Sequence, residues 1–236
     1  MNYLPLTSRR SAWYLACLAL LAASTHSLCA QDARMRIVLE KRVGKSVQQT
    51  SPQHVFAAGD NVRFRFRSSF DGYLYVMDQS TSGKYLVLFP ASGVAETNRI
   101  VRDKDYLIPA TTGSWFRVDD PPGYEKVYFV ISSTKLGKEV EPQPAPLPSE
   151  PSPSNPPPEL LPRCDDSVFR ARGDCVDSAA GPHAIREDEK LPDRLPGSPA
   201  SQSRDITVIN KSTSSVVAPG DLNGAPLVYE FRLAHH

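Results

Sequence analysis

The segment Val62-Arg63-Phe64-Arg65-Phe66-Arg67 alternates apolar and charged residues without a break. A period of two puts Val62, Phe64 and Phe66 on one face of an extended strand and three arginines on the other, a division that a helix of 3.6 residues per turn does not make. A one-residue slip would bury three guanidinium groups, so the register is strongly specified. Short runs of the same character recur at Met35–Glu40, Tyr73–Met77, Tyr85–Phe89, Tyr106–Ile108, Trp115–Val118 and Val127–Ile131, each rich in Val, Ile, Tyr or Phe. Turn signals separate them: Ala58-Gly59-Asp60, Phe70-Asp71-Gly72, Ser82-Gly83, Thr112-Gly113 and Pro121-Pro122-Gly123. Many short strands at this spacing predict an all-β fold, an antiparallel β-sandwich that is immunoglobulin-like or related.

The pattern is interrupted once. Residues 142–162 hold ten of the 22 prolines, and proline neither donates to a ladder nor continues a helix. Residues 141–200 carry six basic and eleven acidic residues, net −5. Low apolar content with net charge predicts a disordered, Pro-rich insertion. Strand character returns at Asp205–Ile209 and at Leu227–Leu233, where Leu227, Tyr229, Phe231 and Leu233 share one face. Two isolated strands are marginal in water, so they are expected to complete the sandwich. Loop closure costs grow only logarithmically with length, so an insertion of this size is tolerated and is expected to add little stability. The expected organisation is 1–30 signal peptide, 31–140 first part of the sandwich, 141–200 insertion, and 201–236 final strands.

The first thirty residues read as an export signal. Arg9 and Arg10 precede Ala12–Ala23, an apolar run shorter than the roughly 20 residues that span a bilayer. Small and polar residues follow up to Ala30, placing cleavage before Gln31. The expected location is periplasmic or extracellular, the alternative being an anchor through an uncleaved or lipidated N-terminus. Cleavage would leave 25 basic and 26 acidic residues, net −1, too balanced to recruit nucleic acid by charge. It would also leave Cys164 and Cys175 as the mature cysteines, and an even pair in an exported chain suggests a disulfide.

The string Phe56-Ala57-Ala58-Gly59-Asp60-Asn61-Val62-Arg63-Phe64 is followed by Asp71-Gly72-Tyr73-Leu74-Tyr75-Val76, Leu88-Phe89-Pro90, Asn98, Tyr106-Leu107-Ile108-Pro109, and Phe116 with Pro121-Pro122-Gly123-Tyr124-Glu125. This succession resembles the bacterial domain of unknown function 4384 across residues 55–134. The resemblance implies a compact β domain that elsewhere accompanies kinase-like, caspase-like or envelope modules as an accessory. It implies no catalytic residues.

Candidate chemistry is sparse. Of the mature histidines, His54 stands alone, His183 falls in the insertion, and His235 and His236 end the chain. There is no G-x-S-x-G elbow, H-E-x-x-H pair or phosphate-binding loop. The chain is therefore read as non-enzymatic, with no cofactor and no metal site. Asp221-Leu222-Asn223-Gly224 lacks the further oxygen ligands of a calcium loop and reads as a turn. Arg172-Gly173-Asp174, just before Cys175, is a receptor-docking tripeptide that ordinary composition also produces by chance.

The candidate ligand-binding residues are Arg63, Arg65 and Arg67, with Arg36 and Arg42 near them. They are expected as an exposed basic stripe that keeps an outer strand soluble. Alternatively they bind a carboxylate- or phosphate-bearing partner, a chemistry that suits arginine. The expected function is a non-catalytic exported module binding another envelope component. The alternative is a small-ligand or glycan module that adds the exposed aromatics Tyr73, Tyr75 and Tyr85 to the arginines.

Overall fold

The computed structural model describes residues 34–90, 98–110, 113–118, 121–136, 161–186, 188–197, 206–210, 213–219 and 225–236. The expected signal segment, the body of the proline tract and Asp221–Gly224 lie outside these residues. The alternation at Val62–Arg67 becomes strand β4 (Asn61–Ser68), with Val62, Phe64 and Phe66 fully buried. Pairing with its neighbours builds the first sheet from β1 (Met35–Val43), β2 (Ser46–Thr50), β4, β8 (Asp105–Ile108), β9 (Phe116–Arg117), β12 (Ile206–Asn210) and β13 (Ser215–Pro219). Its order is β12-β13-β1-β4-β8, with β2 also on β1 and β9 on β4.

The second sheet contains β3 (Val55–Phe56), β5 (Gly72–Gln79), β6 (Tyr85–Phe89), β7 (Arg99–Ile100), β10 (Gly123–Ser132), β11 (Gly181–His183) and β14 (Leu227–His235). Its order is β11-β14-β10-β5-β6, with β3 on β14 and β7 on β5. Every pairing in both sheets is antiparallel except the short one between β3 and β14. The inner faces meet in one core: Ile37, Leu39, Phe64 and Phe66 on one side, Leu74, Val76, Val127, Phe129, Tyr229 and Phe231 on the other. Phe64 sits edge-on to Phe129 at 5.6 Å and to Phe231 at 5.0 Å. Phe129 stacks on Tyr229 at 4.9 Å. Such pairs add roughly 0.5–1.5 kcal/mol beyond their buried area. The all-β sandwich expected from the period-two pattern is the fold.

The alternation at Leu227–Leu233 becomes β14, with Tyr229, Phe231 and Leu233 in the core. β14 pairs with β10 from Leu227 opposite Ile131 to His235 opposite Gly123. A further strand, β13, joins β12 to β1 and has no counterpart in the sequence reading.

The insertion requires a correction. Residues 161–197 were expected to be disordered, yet they carry a helix, a disulfide, a strand and a small core. Helix α1 (Asp166–Arg172) is capped by Asp165, whose carboxylate accepts from the Ser167 and Val168 amides. It ends at Gly173, whose φ of 75° is the left-handed conformation that favours glycine. Cys164 and Cys175 are disulfide-bonded around it. β11 then docks on β14, and Ile185, Leu191 and Leu195 pack on Tyr75, Met77, Tyr128, Val130 and Val228. The physical reason lies in the second sheet. β5, β10 and β14 are buried on both faces along most of their length, as strands covered on both sides are, and averaged composition hid the few apolar side chains of 161–197 that provide the cover.

Candidate functional site

Sheet register converts the three arginines of β4 into a ladder. On the outer face of the first sheet, Arg36, Val38 and Glu40 of β1 lie opposite Arg67, Arg65 and Arg63 of β4. From the other side, Asp105 and Leu107 of β8 lie opposite Arg67 and Arg65. Glu40 accepts from Arg63 Nε at 2.7 Å and from Arg65 Nε at 2.8 Å. Asp105 accepts from Arg67 Nε at 2.6 Å, and the Arg65 guanidinium reaches its second oxygen at 3.5 Å. Arg65 therefore bridges two carboxylates.

Burial grades the ladder. The Glu40 side chain is 3% exposed and Arg63 15%, whereas Arg65 is 35% and Arg67 50% exposed. A carboxylate as buried as Glu40 persists only when it is paired and hydrogen-bonded, and two guanidinium groups do this. The indole of Trp115 holds the Arg63 guanidinium over its ring at 4.3 Å and that of Arg42 at 4.6 Å. The hydrogen bond from Arg67 holds the Asp105 carboxyl below the usual range. The bond to Glu40 raises Arg65, and the bond to Asp105 raises Arg67.

The stripe is thus in the expected register, but it is not a set of free cations. Arg63 is locked, Arg65 is shared, and Arg67 keeps half its side chain in solvent. Arg36 is exposed and, among the described residues, has no ion-pair partner. Arg36, Val38, Gln49, Arg65, Arg67 and Asp105 line a recess of ≈ 260 Å³. Sequence reasoning missed Glu40, Asp105 and Gln49 because their roles depend on which strands neighbour β4 and β1.

The aromatic half of the alternative reading is corrected. Tyr75 is 5% exposed, and its hydroxyl accepts from the Leu136 amide at 3.0 Å. Tyr73 and Tyr85 are half-buried against the same cluster, under the cover that 161–197 provides. His235 is 1% exposed, with Nε2 3.7 Å from Glu125. His54 stands edge-on to Phe56 at 4.7 Å, and burial lowers its pKa. It borders a second, polar groove of ≈ 700 Å³ between β2 and α1 that also includes Gln49, Arg172, Asp174 and Thr213. Arg172, Gly173 and Asp174 are exposed, and the helix end with its glycine cap accounts for that tripeptide.

Residues 161–197 are fastened at several points. Asp177 accepts from the Tyr124 hydroxyl at 2.6 Å, the Arg163 amide at 2.7 Å and the Ala179 amide at 2.8 Å. Burial pushes the Asp177 pKa up, but these bonds outweigh it and the net displacement is downward. Glu189 meets His183 at 3.3 Å and Arg232 at 3.9 Å, and Arg232 Nε donates to the buried Glu230 at 2.6 Å.

The segment from β3 to β10 is similar to one known family. Residues 55–135 match the family described as Domain of unknown function (DUF4384). No curated protein and no solved structure matches the chain. The DUF4384 segment contains Arg63, Arg65, Arg67, Asp105 and Trp115, but Arg36, Glu40, Arg42 and Gln49 precede it. The ladder therefore straddles the edge of the DUF4384 segment. So does the sandwich, because β1 and β14 lie outside the match and are paired on both sides within their sheets.

Proposed function

We propose that this chain is a non-catalytic, exported β-sandwich module of the bacterial envelope that binds an anionic partner through the outer face of its first sheet. One observation carries the reading: residues 161–197 cover the outer face of the second sheet, whereas the first presents Arg36, Arg63, Arg65 and Arg67 with Glu40 and Asp105 among them. Four guanidinium groups against two carboxylates leave net +2 on that part of the face. Trp115 and Glu40 hold Arg63 in place, and such preorganisation lowers the ordering cost of binding. The Cys164–Cys175 disulfide supports an oxidising compartment.

Capture from envelope extract tests the reading. Protein carrying Arg36→Glu with Arg67→Gln should lose partners that wild-type protein retains, while Arg117→Glu, an exposed change on β9, should keep them. Equal capture by all three proteins would sink the proposal. The glycan alternative keeps its arginines but loses its exposed tyrosines, so the partner-binding reading is favoured.

A further inference from the structure

The register on the first sheet places two arginines directly opposite each other. Arg36 of β1 is the cross-strand partner of Arg67 of β4, and both side chains are exposed. Like charges directly opposite are destabilising in a sheet. The other rungs of the ladder avoid this: Arg63 faces Glu40, and Arg65 faces Val38. Asp105 takes only the Nε of Arg67, leaving the terminal amino groups of that guanidinium for another acceptor. Asp103 adds a favourable charge near Arg67 but does not line the recess. Three guanidinium groups and one carboxylate give the recess net +2, with the amide-bearing Gln49 on its wall. Val38, 3% exposed, is its apolar member.

Resting on the reading that this face binds an anionic partner, we infer that Arg36 and Arg67 form a clamp for a dianionic phosphate group, one set of oxygens on each guanidinium. A net charge of +2 matches a phosphate monoester or free phosphate, whereas a single carboxylate would balance only half of it. Planar guanidinium forks suit this geometry. A recess of ≈ 260 Å³ exceeds the size of one phosphate and leaves room for the group that bears it.

Titration with inorganic phosphate, followed through the arginine Nε–H resonances of the full chain, is the direct test. Wild-type protein should show saturable shifts, and Arg36→Gln should bind about tenfold more weakly, the scale of one lost charge-assisted hydrogen bond. Arg117→Gln should bind as wild type does. In phosphate-free buffer, Arg36→Gln should melt no lower than wild type, because removing one of two facing cations relieves repulsion. Phosphatidylcholine vesicles with and without phosphatidic acid separate the possible sources of the group: selective retention assigns it to a lipid headgroup, and phosphate binding without retention assigns it to a soluble ligand. An absence of saturable shifts, equal affinity in Arg36→Gln, equally tight binding of acetate, or a lowered melting temperature in Arg36→Gln would each overturn the clamp. If those results appear while Arg36→Glu with Arg67→Gln still abolishes envelope capture, the clamp falls and the broader function stands.

Discussion

Glu40 shows how far the chemistry of a single residue depends on its neighbours. Its carboxylate is buried between β1 and β4 and is satisfied by Arg63 and Arg65. Replacing it with alanine leaves the largely buried Arg63 without its counter-ion, and such a loss costs about 3 kcal/mol. We expect Glu40→Ala to lower the urea midpoint accordingly and Arg67→Ala to leave it almost unchanged, since Arg67 is half exposed. Similar losses in the two variants would contradict the graded burial. The inward positions Val62, Phe64 and Phe66 were legible in the sequence because alternation alone settles them. The partnership with Glu40 was not, because it joins residues 23 apart and exists only once register is known. Titration acts at this scale too. His54, Asp105 and Asp177 all have folded pKa values below their ordinary ones. In each case the unfolded chain takes up its proton first as pH falls, so stability declines with acidification. The decline should begin near pH ~6.5 through His54 and steepen below pH ~4 through the carboxylates. Urea midpoints against pH should show both stages, and Asp177→Asn should flatten the second; an unaltered acid limb in that variant would count against the three-bond anchor.

Strands and connections were read unequally. Those with one buried face or a continuous apolar run were legible. β2, with the sequence Ser46-Val47-Gln48-Gln49-Thr50, was not, because four of its five residues are exposed and the strand exists through its hairpin with β1. Gly44, at φ 59°, makes that turn. The segment 161–197 was misread for the opposite reason. Its cohesion comes from a few anchors, Ile185, Leu191, Leu195 and the disulfide, in a mainly polar stretch. Leu191, 4% exposed, should cost about 2–3 kcal/mol on replacement by alanine. Replacing 161–197 with a Gly/Ser linker should do more. Tyr75, Met77, Tyr128 and Val228 would face water, and the protein should bind a hydrophobic dye and lose a sharp melting transition. Unchanged cooperativity would mean that the cover is dispensable, as the sequence reading expected.

Residues Asp32–His236 form one compact unit, although the family match stops at residue 135. A fragment limited to 55–135 would lack β1, which lies between β13 and β4, and β14, which lies between β11 and β10. Leu39, Phe64, Phe129 and Phe231 share one core cluster, so the fragment would expose two apolar sheet faces. We expect it to be insoluble or to lack dispersed amide resonances, whereas 32–236 should fold. A folded 55–135 fragment would show that the family segment closes without its flanks. That the tail belongs to the sandwich was legible, because an alternating strand such as Leu227–Leu233 needs a sheet to cover its apolar face. Which sheet it enters, and between which strands, was not, since its alternation fits either.

The position of β14 also orders events in time. It is the last strand described to leave the ribosome, yet its nine residues lie between β11 and β10 inside the second sheet. Until it arrives, β10 has an open edge and Phe129 lacks its closest stacking partner, Tyr229. Folds dominated by contacts between distant parts of the chain form in milliseconds to seconds, and a half-made sheet with an open edge is prone to aggregate. The chain therefore stays incompletely folded until β14 has been synthesised. This makes β14 the step that commits the molecule to its native form.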